Sequence, residues 1–153
     1  MVYHEEEMDL LSVPQGYFIA HCISADFALG AGVAKQIEDA FCMRKMLFKL
    51  CGGDGIKFFS RYGPSCIPCS NVYNLITKCR HWEKPTLRTL ETTLVDMREN
   101  AIDTGVSKIA MPMIGCGLDK LVWDDVKALI QRVFEPTDIE IMVCLWRKNG
   151  NKT

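Results

Sequence analysis

No stretch of this chain approaches the roughly 20 consecutive apolar residues that a membrane-spanning helix needs. The first nine residues, Met1 to Asp9, are acidic rather than basic, which is not the pattern of a secretory signal. An excess of positive charge is missing too. Eighteen Lys and Arg stand against 19 Asp and Glu, for a net charge of −1. That balance gives no bulk electrostatic reason for nonspecific nucleic-acid binding, although Lys78, Arg80, Lys84 and Arg88 lie close together in sequence. Internal repeats, low-complexity tracts and linkers are absent as well. What remains is 153 residues, 48% hydrophobic and 24% charged, the composition of an ordinary globular protein. The expectation is one domain over 1–153, with a core at about 9–146 and a polar tail at 147–153.

Eight cysteines are present. Cys22 and Cys144 sit inside apolar runs and Cys42 inside a helical pattern, where free cysteine behaves as a small hydrophobe. Free thiols in a reducing intracellular compartment, cytoplasm or nucleus, are the expectation. Cys66-Ile67-Pro68-Cys69 is a lone C-x-x-C. Zinc needs four converging ligands, normally two such pairs, and Cys79-x-His81 has the wrong spacing for the second. No metal and no cofactor are expected.

Apolar runs alternate with helical periodicity. Phe18 to Ile23 reads as a short buried strand. Val33, Ile37, Ala40, Phe41, Leu47 and Leu50 recur at helical spacing and stop at Gly52-Gly53, a C-cap signal. Ile56 to Ser60 and Val72 to Ile76 read as strands, and the Pro/Gly/Ser/Cys-rich segment 61–70 between them reads as a loop or hairpin connection. Leu87, Leu90, Leu94, Met97 and Ala101 mark a second helix, with Pro85 near its start. Lys108 to Met111 is a strand, Trp123 to Phe134 a third helix ended before Pro136, and Ile139 to Leu145 a final strand, almost continuously apolar. The alternation predicts a three-layer α/β domain with helices on both faces of a mixed sheet.

Two glycine loops stand out: Leu29-Gly30-Ala31-Gly32-Val33 and Gly115-Cys116-Gly117-Leu118-Asp119. Each follows a strand, and the first opens a helix. Ligands of such sheets bind at the carboxyl ends of the strands. Backbone N–H groups in glycine loops and at helix N-termini suit a diphosphate. The second loop ends in a carboxylate, which adds an acid to a phosphate site. Asp119 is also a candidate N-cap for the helix that follows. His21 reads as a packed strand residue, and Glu5-Glu6-Glu7 as a solvated edge.

The combination His21-Cys22-Ile23-Ser24, Gly30-Ala31-Gly32-Val33-Ala34, Leu75-Ile76-Thr77-Lys78, Met111-Pro112 and Gly115-Cys116-Gly117-Leu118-Asp119 resembles the macrodomains. It is most similar to the terminal ADP-ribose protein glycohydrolase branch. The resemblance implies an α/β/α sandwich that binds ADP-ribose. It implies that Asp9 meets the adenine amino group; the family usually has Gly before that Asp, and here it is Met8. Ile23, Ser24, Gly30, Ala31, Gly32 and Val33 would line the diphosphate and distal ribose. Gly115, Cys116, Gly117 and Leu118 would close from the other side, and Trp146 would form a wall beside the adenine.

The resemblance also implies a catalytic pair. Lys78 would be the nucleophile at the anomeric carbon, and Asp119 would move protons. A lysine attacks only as the neutral amine, and burial or the neighbouring Arg80 would favour that form. The implied function is removal of terminal mono-ADP-ribose from acidic side chains, with O-acyl-ADP-ribose as a second ester substrate. The paired glutamates of poly(ADP-ribose) glycohydrolases and the longer glycine run of the other hydrolytic branch are missing. The expected partners are ADP-ribose and mono-ADP-ribosylated proteins, with no membrane, and the chain is expected to act as a monomer. Two alternatives stand: a reader that binds ADP-ribose without cleaving it, and a hydrolase of ADP-ribose on nucleic-acid bases, for which Lys78, Arg80, His81 and Trp82 can supply cations and an aromatic.

Overall fold

Strand residues 18–24 are buried or half-buried on both alternations, because the protein covers both faces of the sheet they enter. The computed structural model describes residues 1–145, 147–148 and 151–152. Six strands form one mixed sheet: β1 (Val2–Glu6), β2 (Phe18–Ser24), β3 (Ser65–Cys69), β4 (Val72–Lys78), β5 (Lys108–Met111) and β6 (Glu140–Cys144). Their order is β1-β6-β5-β2-β4-β3. Only β3 runs antiparallel to its neighbour; every other pairing is parallel. The helices are α1 (Gly32–Phe41), α2 (Met43–Cys51), α3 (Ile56–Tyr62), α4 (Leu87–Thr104) and α5 (Trp123–Phe134).

Two cores flank the sheet. Leu90, Leu94 and Met97 of α4 join Val126, Ile130 and Phe134 of α5 against Ala20, Leu75, Ile109 and Ile141 on one face. On the other face, Ile37 of α1 and Met43 and Leu47 of α2 pack on Ile19, Ile23, Ile76, Ala110 and Met142. Successive strand residues therefore feed opposite cores, as the period of two requires. The three-layer α/β/α sandwich is present as the alternation of elements predicts. No helix among the described residues is long and apolar enough to cross a membrane.

Local readings fail where tertiary contacts override pattern. The continuous helical spacing over 33–50 is two helices, broken at Cys42 in the left-handed region (φ 53°). Ile56 to Ser60 is helix α3, not a strand. Its aromatic residues suggest β structure, but Phe58 and Tyr62 stand four apart and stack at 4.7 Å on one helix face. The 61–70 segment takes the hairpin form: it contains β3, an edge strand antiparallel to β4, where Pro68 removes no needed ladder bond. A strand sends residues three apart to opposite faces, so Cys66 packs with the α4/α5 core and Cys69 with the other. The C-x-x-C is thus no chelate, and all eight cysteines are free.

The sheet also begins before the expected core. Glu5 and Glu6 lie in β1, an edge strand paired to β6. Here the charge run is a strand edge rather than a tail, consistent with the use of charge to blunt edges. At the other end, Arg147–Lys148 pairs antiparallel with Asn151–Lys152 within the expected tail.

Candidate active site

Three of the four inner strands, β5, β2 and β4, end on the same side, and the chain leaves each of them into a cavity of about 890 Å³. One wall is the β2–α1 loop, including Ser24 and Leu29 to Ala34. The opposite wall runs from Pro112 to Gly115 and on through Gly117 to Asp119. Helix α1 begins at Gly32 with Ala31 as its N-cap, and no side chain caps it. Its first N–H groups therefore point at the cavity wall without a side-chain partner, which is the geometry of an anion site. Gly32 (φ +60°) and Gly115 (φ +73°) hold backbone conformations that L side chains rarely adopt. At Gly115 a Cβ would also come 2.8 Å from Leu121 Cδ1.

Lys78 ends β4, and Asp119 stands in the loop after β5. Their side chains meet with Nζ to Oδ1 at 2.7 Å, each 14% exposed. A cation and a carboxylate 41 residues apart in sequence are thus paired at one end of the cavity. Cys22 lies beside this pair. Burial pushes its thiol well above the usual range, and Asp119 pushes the same way, both favouring the thiol over the thiolate.

No family profile matches the sequence. The macrodomain of Thermus aquaticus DarG has the same fold, with a TM-score of 0.76 at 24% identity, over 94% of this chain and 97% of that one. The ADP-ribose glycohydrolase OARD1 of Homo sapiens is 38% identical over 136 residues, 88% of this chain and 86% of that protein. The chain belongs to the macrodomain family. The DNA ADP-ribosyl glycohydrolase of Thermus aquaticus is 30% identical over 122 residues, 75% of this macrodomain and 33% of that longer protein.

The macrodomain brings Ile23, Ser24, Gly30, Ala31, Gly32, Val33, Gly115, Gly117 and Leu118 to the cavity together with Lys78 and Asp119. Two expected ligand contacts, Asp9 and Cys116, are not in the cavity lining. The Asp9 Oδ1 accepts from the Leu11 N–H at 3.1 Å and caps a 3-10 turn, Leu10–Ser12. Cys116 sits in the loop, but its thiol turns toward the Ile114 carbonyl (3.4 Å) and the α4/α5 core. Trp146 lies outside the described residues. Asp119 does not cap α5: the N-cap is Val122, and the Asp119 carboxylate is committed to Lys78. Nor does Arg80 serve Lys78; its guanidinium lies 5.9 Å over the Trp82 ring.

Sequence reasoning missed Asp26 as the organiser of the first loop. Its carboxylate accepts from Ser24 Oγ (2.5 Å), the Ala28 N–H (3.1 Å), and the backbone N–H (2.8 Å) of His81, with His81 Nδ1 at 2.9 Å. Burial works to raise this carboxyl, but those hydrogen bonds outweigh it and hold it below the usual carboxylate range. The signal was present as Ser24-x-Asp26, a turn-forming pair, but the partner 55 residues away was not.

His21 is a packed strand residue, as expected. It is 1% exposed, with Nε2 2.6 Å from Asn74 Oδ1 on β4. Burial pulls its imidazole down to about 4, against the opposing effect of Asn74. The folded value lies below the unfolded one, so the unfolded chain takes up the proton first. This contribution to stability is complete above about pH 6.5 and falls away between about 6.5 and 4, by up to about 3 kcal/mol. The His21 ring resonances should stay flat from pH 7 to 5. Those of His4, raised chiefly by its hydrogen bond to Glu6, should move in or above that range. Titration of His21 near pH 6.5 in the folded protein would refute its neutral burial.

Proposed function

We propose that this macrodomain is an ADP-ribosyl hydrolase that releases terminal mono-ADP-ribose from acidic side chains and deacylates O-acyl-ADP-ribose. One observation carries the reading: Lys78 Nζ stands 2.7 Å from Asp119 Oδ1 at the end of a cavity whose walls suit a diphosphate. The name of the human relative, an ADP-ribose glycohydrolase, supports it. A reader module needs neither member of the pair.

In this reading the diphosphate lies between the α1 N-terminus and the Gly115–Leu118 loop, which places the distal ribose at Lys78. Asp119 accepts a proton from the Lys78 ammonium, freeing the nitrogen lone pair. The amine attacks the anomeric carbon, and the bond to the ester oxygen breaks. The carboxylate leaves with that electron pair. Water then displaces the lysine, Asp119 relays the protons, and ADP-ribose is released with Lys78 restored. An acyl group on the anomeric oxygen leaves by the same bond cleavage.

The test is release of ADP-ribose from a glutamate-linked ADP-ribosylated protein and from O-acetyl-ADP-ribose. Both are expected to be hydrolysed, and Asp119→Ala to lower the rate about 10²- to 10⁴-fold, the usual worth of a positioned acid–base group. Tight binding of ADP-ribose by the wild type with no release from either ester would establish the reader instead.

A second reading, hydrolysis of ADP-ribose from nucleic-acid bases, rests on Trp82. This indole is 66% exposed, packed edge-on against His81 at 4.9 Å, and flanked by the cavity-lining His81 and Lys84. A base stacks on such a surface. The Thermus aquaticus relative carries that activity in its name. Base-linked substrate cleaved in preference to both esters would favour it.

A further inference from the structure

The tip of the second glycine loop has little to hold it. Leu118 is 64% exposed, and Lys120 is in the left-handed region (φ 61°). The backbone bond from Lys120 N–H to the Gly117 carbonyl is 3.2 Å long and closes only the tip on itself. Two ammonium groups reach the tip from outside. One is Lys78, on Asp119. The other is Lys84, whose Nζ donates to the Leu118 carbonyl at 2.7 Å.

Lys84 stands on a rigid mount. On its N-terminal side, the Arg80–Glu83 turn is closed by the Glu83 N–H to the Arg80 carbonyl (3.0 Å) and the Arg80 N–H to the Glu83 carboxylate (2.6 Å). His81 in that turn is clamped to Asp26 on the opposite loop. On its C-terminal side, Pro85 restricts the Lys84 backbone, and Thr86 and Thr89 form the capping box of α4. The Leu118 side chain in turn reaches across the cleft, where its Cδ1 lies 3.8 Å from where a Cβ on Gly32 would stand. Displacing the tip therefore moves Asp119 off Lys78 and opens the cleft together.

We propose that Lys84 is a positioning residue: its bond to the Leu118 carbonyl fixes the Gly117–Asp119 tip so that Asp119 stays opposed to Lys78 and Leu118 stays across the cleft. This rests on the hydrolase reading above for its effect on rate, and on the loop geometry alone for its effect on order. A misplacement on the scale of an ångström is enough to slow chemistry severely. A single solvent-exposed charge-assisted bond confers less than that, so the expected loss is about tenfold.

The test uses the full chain and Lys84→Met, which keeps most of the stem and removes the donors, with Lys84→Arg as the conservative variant. Lys84→Met is expected to lower kcat for ester hydrolysis about tenfold with KM changed less than about threefold. Lys84→Arg is expected to recover most of that loss. Amide hydrogen exchange at Lys120 and Leu121, whose N–H groups donate to the Gly117 and Gly115 carbonyls, is expected to quicken about tenfold in Lys84→Met and to stay near wild type in Lys84→Arg. The exchange arm needs no turnover, so it decides the latch even if the wild type hydrolyses nothing. Unchanged kcat with unchanged exchange would overturn the proposal. So would a rise in KM alone, which would make Lys84 a direct contact of the diphosphate.

Discussion

Lys78→Ala is expected to abolish ester hydrolysis, with a rate lowered by about 10⁴-fold or more, and to leave the affinity for free ADP-ribose within about threefold. The asymmetry follows from where Lys78 sits. It ends β4 and lines the cavity beside Asp119, while the Gly32 to Ala34 backbone proposed to hold the diphosphate lines it from the β2–α1 loop. In the proposed mechanism, removing the amine deletes the bond-forming atom but none of the α1 N–H groups assigned to the diphosphate. Asp119, left without its partner, becomes a half-buried lone carboxylate, a modest cost to stability. Lys78→Arg separates charge from nucleophilicity: it can keep an ion pair to Asp119, yet the guanidinium stays protonated and does not attack. Single-turnover release assays beside calorimetric titration with ADP-ribose read both quantities. Lys78→Arg retaining a tenth or more of wild-type activity would remove the covalent role.

Phe27→Ala is expected to be the most damaging single change outside the chemistry, at about 3–5 kcal/mol of stability. Phe27 is fully buried although it belongs to the loop that carries the first wall of the cavity. Its ring packs edge-on against Phe48 of α2 at 5.7 Å, and Gly55 leaves room for it, since a Cβ there would come 3.0 Å from Phe27 Cζ. Arg44 Nε donates to the Phe27 carbonyl at 2.9 Å. The residue is held at φ 53°, a strained value for an aromatic, as is Leu29 at φ 44°. Packing against α2 offsets that strain. Without the ring the Ala28–Gly32 segment loses its anchor, so ADP-ribose affinity should fall along with stability. For a chain of this size the melting temperature should drop by roughly 10 °C. Denaturant unfolding and calorimetry on the same variant test the two together. A variant as stable as wild type would show that the loop is held from elsewhere.

Much of the architecture was legible because it rests on local periodicity. The apolar runs at 18–23, 72–76, 108–111 and 139–145 are strands, since each feeds two cores and so carries no polar face. The spacing at 87–101 and 123–134 gives helices for the complementary reason. Helix α3 was misread because it is short and mostly exposed, with no buried stripe to mark its period, while the 61–70 connection left open whether it would form a loop or the hairpin that β3 makes with β4. Cys42 and Phe27 adopt left-handed backbone that no composition rule assigns to them.

For the site, the sequence by itself determined the inventory: two glycine loops after strands, a lysine ending an apolar strand and an aspartate ending the second loop. The loops follow from residue type and spacing, which fix where the backbone can turn tightly, while the lysine and the aspartate were singled out by the macrodomain resemblance. Only the tertiary structure decided the pairings. That Lys78 meets Asp119, that Asp26 clamps His81 and that Lys84 holds Leu118 all depend on which strand ends the parallel order β5-β2-β4 brings side by side. Contacts across 34 to 55 residues of chain leave no periodic trace, because their partners are selected by the sheet and not by their neighbours in sequence.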